Sequence, residues 1–402
     1  MTKNPTDRGR LRGIEGLRAI AASSILVYHV WLYAAPGAVS VDLGAASKAF
    51  QNLLAGVTLF FVLSGFLLFR PYVEAAWTGG RQPALRAYLV NRALRIIPAY
   101  WVILIAVALL MQHELLSHPL QLLANLFFAQ NYVTGYALGA GIVPAWSLAI
   151  EVVFYLAVPV LGGLAIRLAR RRGVSPLAAA VTPVLLMVLL GIAAKAAVPL
   201  FHGDGARGVW QLSFLAHADW FAAGMAVAVL RVRWVHEGGR LFRGWRPAAV
   251  LMALGLLAVS MKLFYNGTLS ALEYQSPIAL GCALILAAVI FPGEHGRVTA
   301  ILEWRPLKVA GLASYSLFLW HDPLVRALRD QGWTWSGRSG FLINLAVIGS
   351  ISIAASALTY RFVERPALAR KRAWQGGAAR PRAARSRRTG PEAAPVSAPV
   401  EP

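Results

Sequence analysis

Arg18 and His29 stand eleven residues apart inside one apolar run. In an α-helix that spacing returns almost to the same face and separates the two by roughly 16 Å along the axis. A neutral imidazole at depth can take a proton from a hydroxyl, because it ordinarily titrates near neutrality. A guanidinium at the helix mouth can hold a phosphate through paired hydrogen bonds. Ionisable groups in an apolar span are costly, so each is a functional candidate by default. Singly, Arg18 also reads as an interfacial anchor and His29 as a packing residue. Their sharing of a face weighs toward function.

Further polar groups recur in other apolar runs. Pro144-Ala145-Trp146-Ser147 opens one that carries Glu151 and Tyr155 a turn apart. Glu151 falls at a depth close to that of His29, where a carboxylate can orient an imidazole. A later run holds Ser314, Tyr315, His321 and Asp322, with His321 again near that level. His321 reads equally as a packing histidine and as a catalytic one. Another run adds His217 and Asp219. Arg92 and Arg95 stand three apart at a helix start and share a face. They read either as a membrane anchor or as a seat for an anionic ligand at a helix N-terminus. Ser64-Gly65 sits inside the bulky tract LFFVLSGF at 59–66, where close helix packing is the default explanation.

The elements that must position these residues are membrane helices. By length alone, 402 residues suggest two or three soluble domains. Hydrophobic residues at 58% and charged ones at 14% overrule that, since soluble domains carry about a quarter charged residues. Mean hydropathy is +0.58. Ten apolar runs reach or approach the roughly 20 residues a crossing helix needs. They lie near 15–34, 51–70, 93–111, 146–166, 180–200, 211–230, 248–264, 277–292, 309–326 and 340–361. The expected fold is all-α: a polytopic membrane bundle of about ten transmembrane helices in a multi-pass protein of the cell membrane.

Loop charge sets the orientation. Arg70–Arg95, Arg167–Arg172, Arg231–Arg246, Arg297–Lys308 and the tail fall on one side, while 112–145 lacks Lys and Arg and 35–50 has only Lys48. That asymmetry predicts both termini in the cytoplasm. Arg329 and Arg338 run against it. Gln121–Gln130 is too short to span, so a re-entrant or interfacial helix is expected near 121–133. Residues 1–12 read as a cytoplasmic N-terminus without a cleavable signal peptide, 13–368 as the membrane domain, and 369–402 as a disordered basic tail. The net charge of +22 follows these loops and the tail rather than a basic face on a folded domain, which argues against nucleic acid. The lone Cys282 excludes disulfides and cysteine-based metal sites, and no metal is expected.

Six tracts in order resemble the acyltransferase-3 family of membrane O-acyltransferases. They are Arg18 with His29, LFFVLSGFLL at 59–68, NRALRIIPAYW at 91–101, PAWSLAIEVVFY at 144–155, ASYSLFLWHDPL at 313–324 and RFVERPAL at 361–368. The resemblance implies ten core helices and a cytoplasmic acyl-CoA donor, commonly acetyl-CoA, with no permanently bound cofactor. It implies an acceptor hydroxyl on a sugar, glycan, lipid or natural product. It makes His29 the catalytic histidine and Arg18 its essential partner. Arg92, Arg95, Trp146, Ser147, Glu151, Tyr155, Ser314, Tyr315 and His321 become motif positions. Some members carry a fused C-terminal hydrolase-like domain, and this chain is expected to work without one.

The resulting expectation is that acyl-CoA phosphates bind Arg18, Arg92 and Arg95, with the pantetheine arm threading up the bundle. His29, assisted by Glu151, then acts as general base on the acceptor hydroxyl. An acyl-histidine intermediate is the two-step alternative. The rival class is a transporter or flippase, with the same polar groups lining a path. A transporter would more readily show broken helices in matching halves, and no internal repeat is evident. The acceptor and the oligomeric state are not legible in the residues.

Overall fold

A computed structural model of the chain describes residues 11–38, 40–135, 140–239, 241–291 and 297–370. All regular elements among them are helices, and the protein is an all-α polytopic membrane protein. The principal helices are α1 (Ile14–Tyr33), α2 (Ala55–Thr78), α3 (Leu85–Leu110), α4 (Ala145–Ala169), α5 (Pro176–Ala196) and α6 (Ala218–Glu237). They continue as α7 (Trp245–Tyr265), α8 (Gln275–Ile290), α9 (Arg305–Leu312), α10 (Ser314–Asp330) and α11 (Gly337–Thr359). Seven stretches, built on α2 to α7 and α11, are long and apolar enough to cross a bilayer, and α8 is a shorter apolar helix. The expected tail from residue 371 and the first ten residues lie outside the described set.

α2 is the axis of the bundle, packing against α1, α4, α6 and α8. Small residues make this possible. A Cβ on Gly65 would collide with the carbonyl oxygen of Phe221, and one on Gly224 with that of Val62. The α2–α6 crossing therefore brings backbone against backbone, the close approach that small residues permit between membrane helices. The packing expected of Ser64-Gly65 is thus observed. Gly56 does the same against Ala21 of α1, and Gly162 lets α4 seat the Tyr72 ring.

The ninth expected span is broken. It starts earlier than expected, at Arg305, and Ala313 separates α9 from α10. Packing explains the first piece: Gly311 lies so close to α1 that a Cβ would strike the carbonyl oxygen of Glu15. A short helix, Pro119–Leu126, fills the stretch expected to be re-entrant or interfacial. Leu120 and Phe127 are exposed along it, at 71% and 70%, as a lipid-facing edge requires. Its polar side works on the fold. The Tyr100 hydroxyl donates to the Asn125 carbonyl (2.9 Å), and Asn131 Nδ2 donates to the carbonyls of Trp146 (2.8 Å) and Leu212 (3.0 Å). The loop thus pins the start of α4.

Gly224→Val is expected to cut the yield of monodisperse, detergent-extracted protein sharply. Gly255→Val, at a position with nothing within 4 Å of its Cβ, should not. Equal yields from the two would show that α2 and α6 do not depend on that approach.

Candidate active site

The polar residues of the apolar runs collect in two groups. The first lines a cavity between α1, α2, α3, α4 and α10. Arg18, Arg92 and Arg95 reach it from α1 and α3, Ser147, Glu151 and Tyr155 from α4, and Tyr315 from α10. Arg92 and Arg95 share a face as their spacing predicts, and that face looks into the cavity.

Each charge has a distinct footing. Arg18 Nε donates to Ser314 Oγ (3.3 Å) and lies 3.8 Å from Glu15 Oε2, one turn earlier. Arg92 sits with its guanidinium 6.0 Å from the Tyr155 ring, and its Nε finds no partner among the described residues. Glu151 accepts a hydrogen bond from the Ser64 hydroxyl. Ser147 Oγ donates to the Pro144 carbonyl (3.0 Å), and the Tyr315 hydroxyl donates to the Ile96 carbonyl (3.0 Å).

The second group is a histidine pair. His321 Nε2 lies 3.0 Å from His29 Nδ1, with ring centroids 4.8 Å apart. His29 Nδ1 is also 3.0 Å from the Ile25 carbonyl, and His321 Nδ1 is 3.2 Å from that of Leu317. For two neutral rings, one tautomer choice leaves no lone pair facing a carbonyl. Both protons sit on Nδ1, so His321 Nδ1–H donates to Leu317 and His29 Nδ1–H is shared between Ile25 and His321 Nε2. That assignment leaves His29 Nε2 as a bare lone pair. His29 is 9% exposed and His321 0%, so His29 is the ring that can meet a substrate. Tyr33 stacks on His29 at 5.8 Å, and the Arg326 guanidinium lies 5.0 Å from the Tyr33 ring; Arg326 Nε in turn donates to Asp322 Oδ2 (2.9 Å).

The two groups adjoin through Phe318, which lines the cavity and lies 5.8 Å from the His321 ring. They do not merge as expected for Glu151. Its hydrogen-bond partner is Ser64 and its neighbours are the cavity arginines, whereas His29 takes its ring partner from α10. The reason is lateral placement: α1 and α4 each pack on α2 rather than mainly on each other. Trp146 also departs from its neighbour Ser147, turning to a different cavity where it lies 5.6 Å from His217. Asp219 is bound by Lys195 (2.5 Å).

Two residues were not singled out from sequence. Ser64 was read only for packing. Glu364, in the π-helical turn Tyr360–Glu364, is 2% exposed and accepts from the Ser316 hydroxyl. An acid in the RFVERPAL tract, flanked by two arginines, was the available signal.

This helical membrane protein thus holds three arginines and a glutamate on one cavity, with a buried histidine pair beside it. The profile of the acyltransferase domain matches residues 11–361, and the chain belongs to that family, acyltransferase-3. It is similar to the peptidoglycan O-acetyltransferase OatA of Listeria monocytogenes, 24% identical over 392 residues that cover 88% of this chain and 55% of the relative. It is also similar to the putative peptidoglycan O-acetyltransferase YrhL of Bacillus subtilis (25% over 376 residues, 88% and 54%). A third relative is the O-acetyltransferase OatA of Staphylococcus aureus (23% over 397 residues, 89% and 57%). The chain thus spans little more than half the length of these relatives. No solved structure matches it.

Ser64→Ala and Glu151→Gln should each destabilise the detergent-solubilised protein, while the double variant loses less than the sum. The coupling expected for a contacting pair is about 0.5–3 kcal/mol. Strict additivity in denaturant unfolding would mean that the hydroxyl and the carboxylate do not interact.

Proposed function

We propose that this protein is a plasma-membrane O-acyltransferase that moves an acyl group, most simply acetyl, from cytoplasmic acyl-CoA to a hydroxyl of a glycan. The observation that carries the reading is the cavity lined by Arg18, Arg92 and Arg95 beside the His29–His321 pair. With both termini cytoplasmic, as loop charge argues, the arginines face the side that holds acyl-CoA. Guanidinium groups suit its phosphates, and the unpartnered Nε of Arg92 is a donor in want of an anion. The glycan acceptor is carried by the likeness to the peptidoglycan O-acetyltransferases.

In this scheme His29 Nε2 removes the acceptor's hydroxyl proton as the oxygen attacks the thioester carbonyl. The C–O bond forms, the C–S bond breaks, and the thiolate of CoA leaves and takes the proton back from the imidazolium. His321 is a positioning residue: its Nε2 holds the His29 Nδ1 proton and so keeps Nε2 of His29 free. Glu151 serves the donor cavity, tied to Ser64, rather than the base. An acyl-histidine route uses the same nitrogen as nucleophile.

In proteoliposomes supplied with labelled acetyl-CoA and a glycan acceptor, His29→Ala should lower turnover by about 10²–10⁴-fold, the usual worth of a general base. A folded His29→Ala protein with full transfer would sink the assignment. Arg92→Ala and Arg95→Ala should each weaken acetyl-CoA binding roughly 10- to 100-fold, from the loss of a charge-assisted hydrogen bond worth about 1.5–3 kcal/mol. His321→Gln, whose amide oxygen can accept from His29 Nδ1–H, should retain more turnover than His321→Ala at similar KM. Equal losses in both would remove the positioning role.

A further inference from the structure

A second cavity, of about 230 Å³, lies at the end of the bundle where α2, α4, α6 and α8 begin, away from the end where α3 brings in Arg92 and Arg95. No Asp, Glu, Lys or Arg lines it. Its walls are aromatic and polar at once. Trp146 and His217 stand 5.6 Å apart, and His217 meets Trp220 edge-on at 4.4 Å.

Several polar atoms of this wall lack protein partners. Trp220 is 4% exposed, and its Nε1–H finds no acceptor among the described residues. Gln275, 3% exposed, uses its carbonyl to accept from the Thr58 hydroxyl (2.7 Å). Its amide nitrogen, beside the Tyr274 hydroxyl, makes no hydrogen bond of full geometry. His217 Nδ1 donates to the Ser213 carbonyl (2.9 Å), which leaves Nε2 as an acceptor. The wall is held rigid from behind. Lys195 Nζ donates to Asp219 (2.5 Å) and to Ser276 Oγ (2.8 Å), and lies 6.0 Å from the Trp220 ring. Gly191 lets α5 come within 2.7 Å of Asp219 Oδ1, measured from the position of its missing Cβ.

This chemistry selects among occupants. An anion would find no cation here. An alkyl chain offers the buried Trp220 N–H and Gln275 amide no acceptor and leaves them unpaired. A neutral pyranose ring satisfies the set: its hydroxyls both donate and accept, and its C–H faces pack on indole rings. The cavity is also placed to present such a ring for reaction. Val57 lines both cavities, and Phe61 of the first lies 5.8 Å from Trp220 and 6.0 Å from His217.

The geometry points to this cavity as the acceptor subsite, taking a neutral sugar ring between Trp146, His217 and Trp220 with Gln275 as a donor. The inference rests on the acyl-transfer reading. Its test is titration of the full chain in nanodiscs with chitotriose and with maltotriose, followed by calorimetry. At least one should bind saturably. Trp220→Phe, which keeps a ring but loses the N–H, and Gln275→Glu, which keeps the Thr58 bond but loses the donors, should each weaken it about tenfold. The two changes sit on different helices, so misfolding of one variant leaves the other to decide. Failure of both sugars to bind overturns the subsite, as does binding unchanged in a folded variant or binding of a lauroyl chain in their place. Acetyl-CoA titrated into the same wild-type sample separates the two claims. Donor bound without sugar defeats the subsite alone, and no donor bound defeats the proposed function with it.

Discussion

In lipid, helices gain nothing from hiding apolar surface from one another, so contact must come from packing and hydrogen bonds. The crossing of α2 and α6 meets that demand with two glycines, Gly65 and Gly224, each lying against a carbonyl of the opposite helix. Much follows from so close an approach. Phe61 stacks on Phe221 at 4.6 Å, and Phe221 on Phe154 of α4 at 4.1 Å, so three helices are locked in register. Ser64, one residue from the crossing, turns to α4 and holds Glu151. Phe61 itself becomes part of the partition between the two cavities. A larger side chain at either glycine would separate the helices and uncouple all of these.

Within that frame, charge is handled by pairing rather than by exposure. Burying one partner alone is costly, commonly several kcal/mol after relaxation. Lys195 and Asp219 answer each other between α5 and α6, with Ser276 of α8 adding a third helix. Glu151 and Glu364 are each tied by a serine hydroxyl from a different helix. Arg18 divides its contacts between Glu15 and Ser314, at the break between α9 and α10. Unpartnered donors remain at Arg92 Nε beside the first cavity and at Trp220 Nε1 and Gln275 Nε2 beside the second, among other buried polar atoms of the described residues. The first cavity is lined by three arginines and one glutamate, whereas no Asp, Glu, Lys or Arg lines the second.

The helices were legible because a span of about 20 apolar residues is a physical requirement of the bilayer. Height along a helix was legible too: Arg92 and Arg95 share a face, and His29 and His321 meet. What the sequence cannot supply is which helices are neighbours. Glu151 matches His29 by depth alone, and their helices each pack on α2 rather than mainly on each other. The break at Ala313 carries no proline to announce it; Gly311, two residues earlier, lies against α1. Trp146 and Ser147 are adjacent in the chain yet serve different cavities, because successive helical residues point about 100° apart. Glu364 was hidden for a different reason. Its partner, Ser316, lies 48 residues away in the chain.

The pairing of His29 with a second histidine rather than a carboxylate follows from where it sits. A carboxylate partner would place a formal negative charge in the bundle while the imidazole is neutral, and that charge would need its own partner. His321 orients the ring at no such cost, since both rings are neutral in the one tautomer arrangement their neighbours allow. The acid next to His321 in the chain, Asp322, is engaged by Arg326. A neutral dyad therefore fixes the tautomer that leaves His29 Nε2 bare, while the local ion pair stays closed on itself. The same logic explains why the carboxylate at matching depth, Glu151, is found among arginines instead: in a low-dielectric bundle, an acid is drawn to the cations that neutralise it.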